Sequence, residues 1–523
     1  MSQALTQLSR EDLSASTTVD NENQMHSREE RRSDIHSPMQ AAEIVEFEPP
    51  APSRTAPMWN FYIIASGYLV FTLTDSALRM IVLFGLYQRN YQPLDIALMF
   101  TSYEALGVVT NLFGGIMGSK WGLRLCLLMG LSLQLVGICL LFALVRLDEW
   151  SRGAVIGYVI FAQSFAGAAK DLVKLAGKSV TKLVAKDDVG THSPLFRLVA
   201  WLTGLKNSIK GLGFFMGAAL LNYAGLWPSL LVLAILCILV IPPCLRIENN
   251  LGVSTSKSKL TLRQIFDKGY SVNILSLARI FLFGSRDLWF EVVLPIYLRA
   301  MFGWSFIASG SFLAVWIIFY GAVQSSTPQL ILKPLGLYPI RRCVKSATLS
   351  VKLQPHMLDL AVLLHTTIAT ITNGCFIHSR GRMLVPWTVA LGAVMVGLAI
   401  FLTFERNTAS GTGSIGMLVG FIAGLLVFAF FFAVNSSVHS FLIVAYAGKD
   451  KVAINVGFYY CANAIGRLVG TVLSGWLYQY YGIWVCMWTS CGFLIICSVV
   501  SIFLPPVQSG ATPVAAAVTP LPA

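Results

Sequence analysis

The residues with chemistry to offer are ionisable side chains set inside long apolar runs. The acids are Asp75, Glu104, Asp171, Asp287 and Glu291; the bases are Arg79, Lys170, Lys174, Lys206, Lys210, Arg279, Arg286 and Arg467. An ionisable group at the centre of a bilayer costs roughly 2.5–3.5 kcal/mol on insertion scales, so such residues mark either a pathway or a packed pair. Some are spaced to pair on their own helix. Asp75 and Arg79 stand one turn apart, as do Asp287 and Glu291 beside Arg286, and Asp171 lies between Lys170 and Lys174. Each of these sets reads equally well as a structural salt bridge. The surplus is basic: Lys206 and Lys210 are one turn apart in a stretch with no acid. Unpaired cations in an apolar bundle need an anion. Converging Arg and Lys donors suit phosphate-like oxyanions. The competing reading puts the two lysines at a fraying membrane edge, with their head groups snorkelling to lipid phosphates.

Neutral and weakly titrating groups extend the set. Asn111, Asn207, Asn435 and Asn463 orient cargo or bond helix to helix. Glu104 and His439 have the chemistry of proton coupling. Arg79, Lys206, Lys210, Arg286 and Arg467, with Asn207, Asn435 and Asn463, are the candidate contacts of an anionic substrate. Asp75, Glu104, Asp287, Glu291 and His439 are the candidates for coupling or for holding those bases in place. No nucleophile–base pair or metal-ligand spacing occurs, so an enzyme, a cofactor and a metal are not expected. Gly411-Thr-Gly413-Ser-Ile-Gly416 fits a dinucleotide pattern but lacks a strand–helix context. Asn435-Ser-Ser437 fits a glycosylation pattern but lies inside an apolar run.

Positioning these residues is the task of membrane helices. The 523 residues are 55% hydrophobic and 12% charged, with a mean hydropathy of +0.68. Soluble domains carry roughly 25% charged residues, so a soluble enzyme, a nucleic-acid binder and a disulfide-stapled domain are excluded as first readings. The ten cysteines are scattered, mostly in apolar runs such as those of Cys126, Cys139, Cys237 and Cys486, and read as packing residues. Twelve spans follow from the pattern, at 59–86, 94–118, 125–146, 153–176, 196–222, 224–245, 271–298, 304–332, 384–404, 414–446, 453–480 and 483–504. The expected fold is an all-α polytopic membrane protein of two six-helix halves, 58–246 and 271–505, joined by a cytoplasmic linker at 247–270. Residues 1–57 and 506–523 have compositions that cannot bury a core and are expected to be disordered tails.

Loop charges set the orientation. With the N-terminus inside, cytoplasmic loops hold Lys120, Arg124, Lys182, Lys186, Lys257, Lys259, Arg263, Arg341 and Arg342 among others. The opposite loops hold Arg89, Arg146, Arg152, Arg299 and Arg406. Both termini are therefore expected in the cytoplasm, and the net charge of +13 belongs to loops facing anionic lipid rather than to a nucleic-acid surface.

The halves repeat. Phe71–Asp75 aligns with Phe283–Asp287 at an offset of 212, while Lys210, Gly213, Tyr223 and Gly225 align with Arg467, Gly470, Tyr480 and Gly482 at 257. The change of offset predicts extra residues in the second half. The stretch at 341–381, with Arg341, Arg342, Lys345, His356, Asp359 and His365, is read as a cytoplasmic insertion rather than a thirteenth helix.

Two groups of motifs carry a family resemblance. Gly115-Ile-Met-Gly118-Ser119-Lys120-Trp121-Gly122-Leu123-Arg124 is similar to the signature loop of the major facilitator superfamily, departing from it at Ser119 and Leu123. Phe71–Met80, Tyr103–Asn111, Ala169–Lys174, Trp201–Asn207, Ser285–Trp289, Ala433–His439 and Gly457–Arg467 resemble the organoarsenical efflux permeases of that superfamily. The resemblance implies twelve helices working by alternating access in the plasma membrane. Its implied cargo is 1-arseno-3-phosphoglycerate, the ester that glyceraldehyde-3-phosphate dehydrogenase makes from arsenate, so that enzyme is the expected functional partner. Transport of inorganic phosphate or another organic phosphate, and a transporter-like anion receptor, remain as alternatives.

Overall fold

A computed structural model describes residues 58–184, 193–249, 251, 268–327, 383–408, 414–446 and 452–506. The N-terminal tail, the insertion at 341–381, and most of the linker and of the C-terminal tail lie outside the described residues. Every regular element among those described is helical. In chain order these are α1 (Met58–Gln88), α2 (Pro93–Met99), α3 (Thr101–Leu141), α4 (Arg152–Val184), α5 (Ser193–Ala224), α6 (Leu226–Cys244), α7 (Tyr270–Asp287) and α8 (Val293–Phe302). They continue as α9 (Phe306–Thr327), α10 (Leu384–Thr408), α11 (Ile415–Tyr446), α12 (Val452–Tyr481) and α13 (Ile483–Ile502).

The described part of each expected span is mainly helical, and residues 328–332 of the eighth lie outside the described residues. Spans two and three share α3, which turns at Gly122 with φ 76° and ψ 163°. There the backbone N–H of Leu123 donates to the carbonyl of Leu251 at 2.9 Å, tying the turn to the chain that leaves α6. Span two is interrupted between α2 and α3. Pro93 starts α2 at its first turn, where a missing N–H costs nothing, and a reciprocal Gln92–Asp95 capping box holds that start. Span seven is broken into α7 and α8 by the turn at Leu288–Val292, and Leu294 N–H reaches back to the Trp289 carbonyl at 2.7 Å.

Seven described helices are long and apolar enough to cross a membrane: Trp59–Gln88, Gly122–Leu144, Leu226–Cys244, Phe306–Thr327, Leu384–Phe404, Ile415–Ile443 and Ile483–Ile502. α4, α5, α7 and α12 are not among them, and these helices carry most of the ionisable residues. Helices with charges at mid-depth must turn those faces into the bundle, away from hydrocarbon.

The repeat proposed from sequence has a geometric counterpart. Gly225 and Gly482 both adopt positive φ, 79° and 91°, in the turns that end α5 and α12. Gly213 lets α5 press on α1: a Cβ there would sit 2.6 Å from the Leu73 carbonyl oxygen. Gly470 does the same for α12 on α7, where a Cβ would sit 2.8 Å from the Gly284 carbonyl oxygen. The halves meet along α5 against α9, and along α2 and α3 against α12. In the second contact Leu94 N–H donates to Gln479 Oε1 at 3.1 Å, and Gly475 admits the Pro93–Ala97 backbone.

Candidate functional site

The ionisable residues converge where α1, α3, α4, α5, α7 and α12 meet. Two acids form the hub. Glu104, from the first turn of α3, takes Arg467 at 2.7 Å, Arg79 at 3.3 Å and Lys170 at 3.4 Å. Glu291, from the break between α7 and α8, takes Arg79, Arg467 at 3.0 Å and Lys210 at 3.7 Å. Arg467 also donates to Asp287 Oδ2 at 3.1 Å. The network crosses between the halves, because Arg467 belongs to one and Glu104 to the other. It also joins repeat-related positions: Arg79 and Glu291 are 212 residues apart, the offset that relates α1 to α7.

Both breaks in the helices serve this hub. The interruption at Phe100 brings Tyr103 and Glu104 beside Arg79, whose guanidinium lies 5.3 Å over the Phe100 ring and 4.5 Å over Tyr103. The turn after Asp287 frees Glu291 from a regular helix face. Discontinuous helices that expose backbone near a polar site recur in membrane transporters.

The structure corrects one pairing expected from spacing and the isolation expected of Lys210. Asp75 does not pair with Arg79; its carboxylate accepts from Tyr103 Oη at 2.8 Å, and Arg79 turns to Glu291 and Glu104. Lys210 is not left without an acid, and neither is Arg467; their carboxylates come from α3 and the α7–α8 break, which no single-helix spacing could reveal. Arg286 is paired with its neighbour Asp287 at 2.5 Å and enclosed by Phe283, Phe290 and Phe432, at 5.1, 5.6 and 5.4 Å from the guanidinium. That enclosure sets it apart from the half-exposed bases.

Lys206 alone of the two α5 lysines keeps the expected isolation. Among the described residues it makes no ion pair, and Tyr320, Tyr460 and Arg467 lie near it. Beside it, Asn207 packs on Gly321 of α9. Lys174 and Asp171 pair at 3.5 Å, and Asp171 also accepts from Thr110 at 2.7 Å and Asn111 at 3.1 Å. Within the ion-pair network the hub acids are buried more deeply than four of their bases, while Asp75 is part-exposed and Arg79, Arg279 and Arg286 are buried. Glu104, Asp287 and Glu291 side chains are 0–1% exposed, whereas Lys170, Lys174, Lys210 and Arg467 are 16–24% exposed.

A second polar group lies in the C-terminal half. Arg279 is buried in α7, where Nε donates to Asn463 Oδ1 at 3.0 Å and Nη1 to Ser436 Oγ at 3.4 Å. Asn435 and His439, one turn apart on α11, are fully buried. Asn435 Oδ1 accepts from Thr388 at 3.1 Å, while its Nδ2 and both His439 ring nitrogens have no described partner. Tyr103, Tyr320, Gln324 and Ser436 join these sites without having stood out in the sequence, because neutral polar residues in a helix carry no spacing signal.

No family model matches the sequence, and no curated protein matches it. Solved structures do. A bacterial homologue of the iron transporter ferroportin, in an inward-facing state, is similar with a TM-score of 0.58 over 86% of this chain and 98% of that one, at 15% identity. At that identity the likeness establishes the fold alone, an all-helical multi-pass membrane fold shared over nearly the whole length of that neighbour.

Proposed function

We propose that this protein is a secondary active transporter that exports an anionic organoarsenical, a 1-arseno-3-phosphoglycerate-like ester, and so confers resistance to arsenate. The observation that carries the anionic part is the surplus of part-exposed bases around the buried hub acids. The hub carboxylates are engaged by bases, while the accessible bases are Lys170, Lys174, Lys210 and Arg467, with Lys206 unpaired beside them. An oxyanion entering between the halves meets charge-assisted donors, and Asp75, the part-exposed acid of the site, already accepts from Tyr103 Oη. The arsenical identity rests on the motif resemblance.

Alternating access follows from where the bridges lie. Arg467 holds Glu104 across the two halves, and an anion bound to Arg467 and Lys210 competes with Glu104 and Glu291 for them. Binding therefore loosens one closed arrangement and favours another, which is what differential affinity between two states requires. Proton antiport is the default energy source, with Asp75, Glu104, Asp287, Glu291 and His439 as the groups to carry it. The reading places both termini in the cytoplasm and the protein in the plasma membrane, working with a glyceraldehyde-3-phosphate dehydrogenase that makes the cargo.

The bacterial neighbour is described by iron transport, so a metal cation is the competing cargo. The site favours an anion: Glu104, Asp287 and Glu291 already face Arg or Lys, and among the described residues no three His, Cys, Asp or Glu side chains group as metal ligands.

The test is arsenate tolerance and cell arsenic in an arsenic-sensitive host, with the transporter and the dehydrogenase expressed singly and together. Lys206→Gln is the control, since it breaks no described ion pair. Tolerance should rise and cell arsenic fall only with both proteins, and Lys206→Gln should abolish the effect. No change with correctly inserted protein would reject the arsenical cargo and leave phosphate-ester transport, which uptake competition with inorganic phosphate and glycerol 3-phosphate would then define.

A further inference from the structure

We infer that Arg279 anchors a second anion subsite, so that the protein takes a two-headed anion: one oxyanion at Lys206, and a carboxylate or second oxyanion at Arg279. This inference rests on the anion-transporter reading above.

Arg279 is unlike the other buried arginines. Arg79, Arg286 and Arg467 each meet at least one carboxylate. Arg279, 4% exposed, meets none among the described residues. Its described hydrogen bonds go to a neutral amide and a neutral hydroxyl, and Nη2 donates to no described residue. The Phe283 and Tyr459 rings, at 3.9 and 5.0 Å from the guanidinium, offer π faces but no countercharge. A buried charge left in that state is costly unless a charged partner arrives.

The surroundings are arranged for such a partner. Three donors converge on the single oxygen of Ser436: Arg279 Nη1 at 3.4 Å, Tyr320 Oη at 3.3 Å and Gln324 Nε2 at 3.2 Å. A hydroxyl oxygen has two lone pairs, so all three contacts are met only if the Ser436 hydroxyl donates to Tyr320 Oη rather than accepting from it, and at 3.2–3.4 Å each is long. An oxyanion has the lone pairs to take them. Close by, the His439 ring nitrogens, Asn435 Nδ2 and Tyr459 Oη are all buried with no described partner. His439 lies one turn from Ser436 on α11, and Tyr459 faces the guanidinium.

Tyr320 connects this group to Lys206. Its neighbour Gly321 packs on Asn207, the residue after Lys206, so close that a Cβ on Gly321 would lie 2.6 Å from Asn207 Cβ. Lys206 belongs to the N-terminal half and Arg279 to the C-terminal half. A ligand with an anionic group at each end of a short chain would span them, and its two charges would tie the halves together.

The experiment uses the purified full-length protein in detergent, with 3-phosphoglycerate as the two-headed probe and glycerol 3-phosphate as the one-headed probe. The wild type should bind 3-phosphoglycerate about tenfold more tightly, the effect of one further charge-assisted contact. Arg279→Gln should remove that preference and leave glycerol 3-phosphate binding unchanged, whereas Lys206→Gln should weaken both. Asn463→Asp guards against misfolding: its carboxylate supplies Arg279 with a permanent partner, which preserves the fold and should also abolish the preference. A purely structural Arg279 predicts that Asn463→Asp binds like wild type, and that result would overturn the subsite. So would an Arg279→Gln protein that keeps the preference or loses both probes equally. If the wild type binds neither ester, the anion-transporter reading fails and the subsite with it; binding of both without preference removes the subsite alone.

Discussion

Glu104 and Glu291 each hold three bases of the central cluster, and Arg79, Lys210 and Arg467 turn to Glu291. Removing the Glu291 charge leaves three buried or half-buried bases sharing Glu104 and Asp287. Breaking one partner of a buried ion pair costs on the order of 3–5 kcal/mol, since the remaining charge is left uncompensated. Glu291→Gln should therefore lower the thermal midpoint of the detergent-purified protein sharply. Adding Arg79→Gln should restore part of the loss, with a coupling on the order of 1–3 kcal/mol between two groups in contact. Strictly additive losses in this double-mutant cycle would mean that the Arg79–Glu291 contact does not hold the cluster together. Sequence placed these residues in the membrane and grouped them by helix; it paired Asp75 with Arg79 because spacing along one helix is all that a linear pattern can express.

At the scale of elements, glycines decide how closely the helices approach. Gly225 and Gly482 have φ 79° and 91° with ψ near 180°, a region essentially closed to residues with a Cβ. Gly225→Ala and Gly482→Ala should each destabilise by about 1–3 kcal/mol. Because the two turns are repeat equivalents, the two losses should be alike. A thermal-shift series on both variants checks this, and two very different losses would argue against equivalent turns. Gly213 and Gly470 act by contact rather than by backbone conformation, so larger residues there should separate α5 from α1 and α12 from α7. The equivalence of all four positions was legible from the offset between the halves. The breaks at Phe100 and Leu288–Val292 were not, because the length and composition of a span carry no mark of where its helix is interrupted.

For the whole molecule, the bridge between halves is what transport must open. A Cβ on Gly107 would lie 3.8 Å from Ala464 Cβ across that boundary, the mean separation in a disulfide. Gly107→Cys with Ala464→Cys should form a cross-link on oxidation, seen as a linked peptide by mass spectrometry. Export should stop on oxidation and return on reduction, while either single variant stays insensitive. Transport that continues with the link formed would show that α3 and α12 need not separate here.

The sequence by itself determined the membrane setting, the helical class, the halves and their register, because hydrocarbon demands long apolar runs and a repeat leaves its offset in the chain. It also singled out the buried charges, since a base inside an apolar run is improbable without a reason. Only the tertiary structure decided which charges meet. Arg467 reaches Glu104 across 363 residues and Arg79 reaches Glu291 across 212, contacts fixed by how six helices pack. It likewise decided that, among the described residues, Lys206 and Arg279 are the bases of these helix faces that meet no carboxylate, a fact about neighbours in space that no spacing along the chain contains.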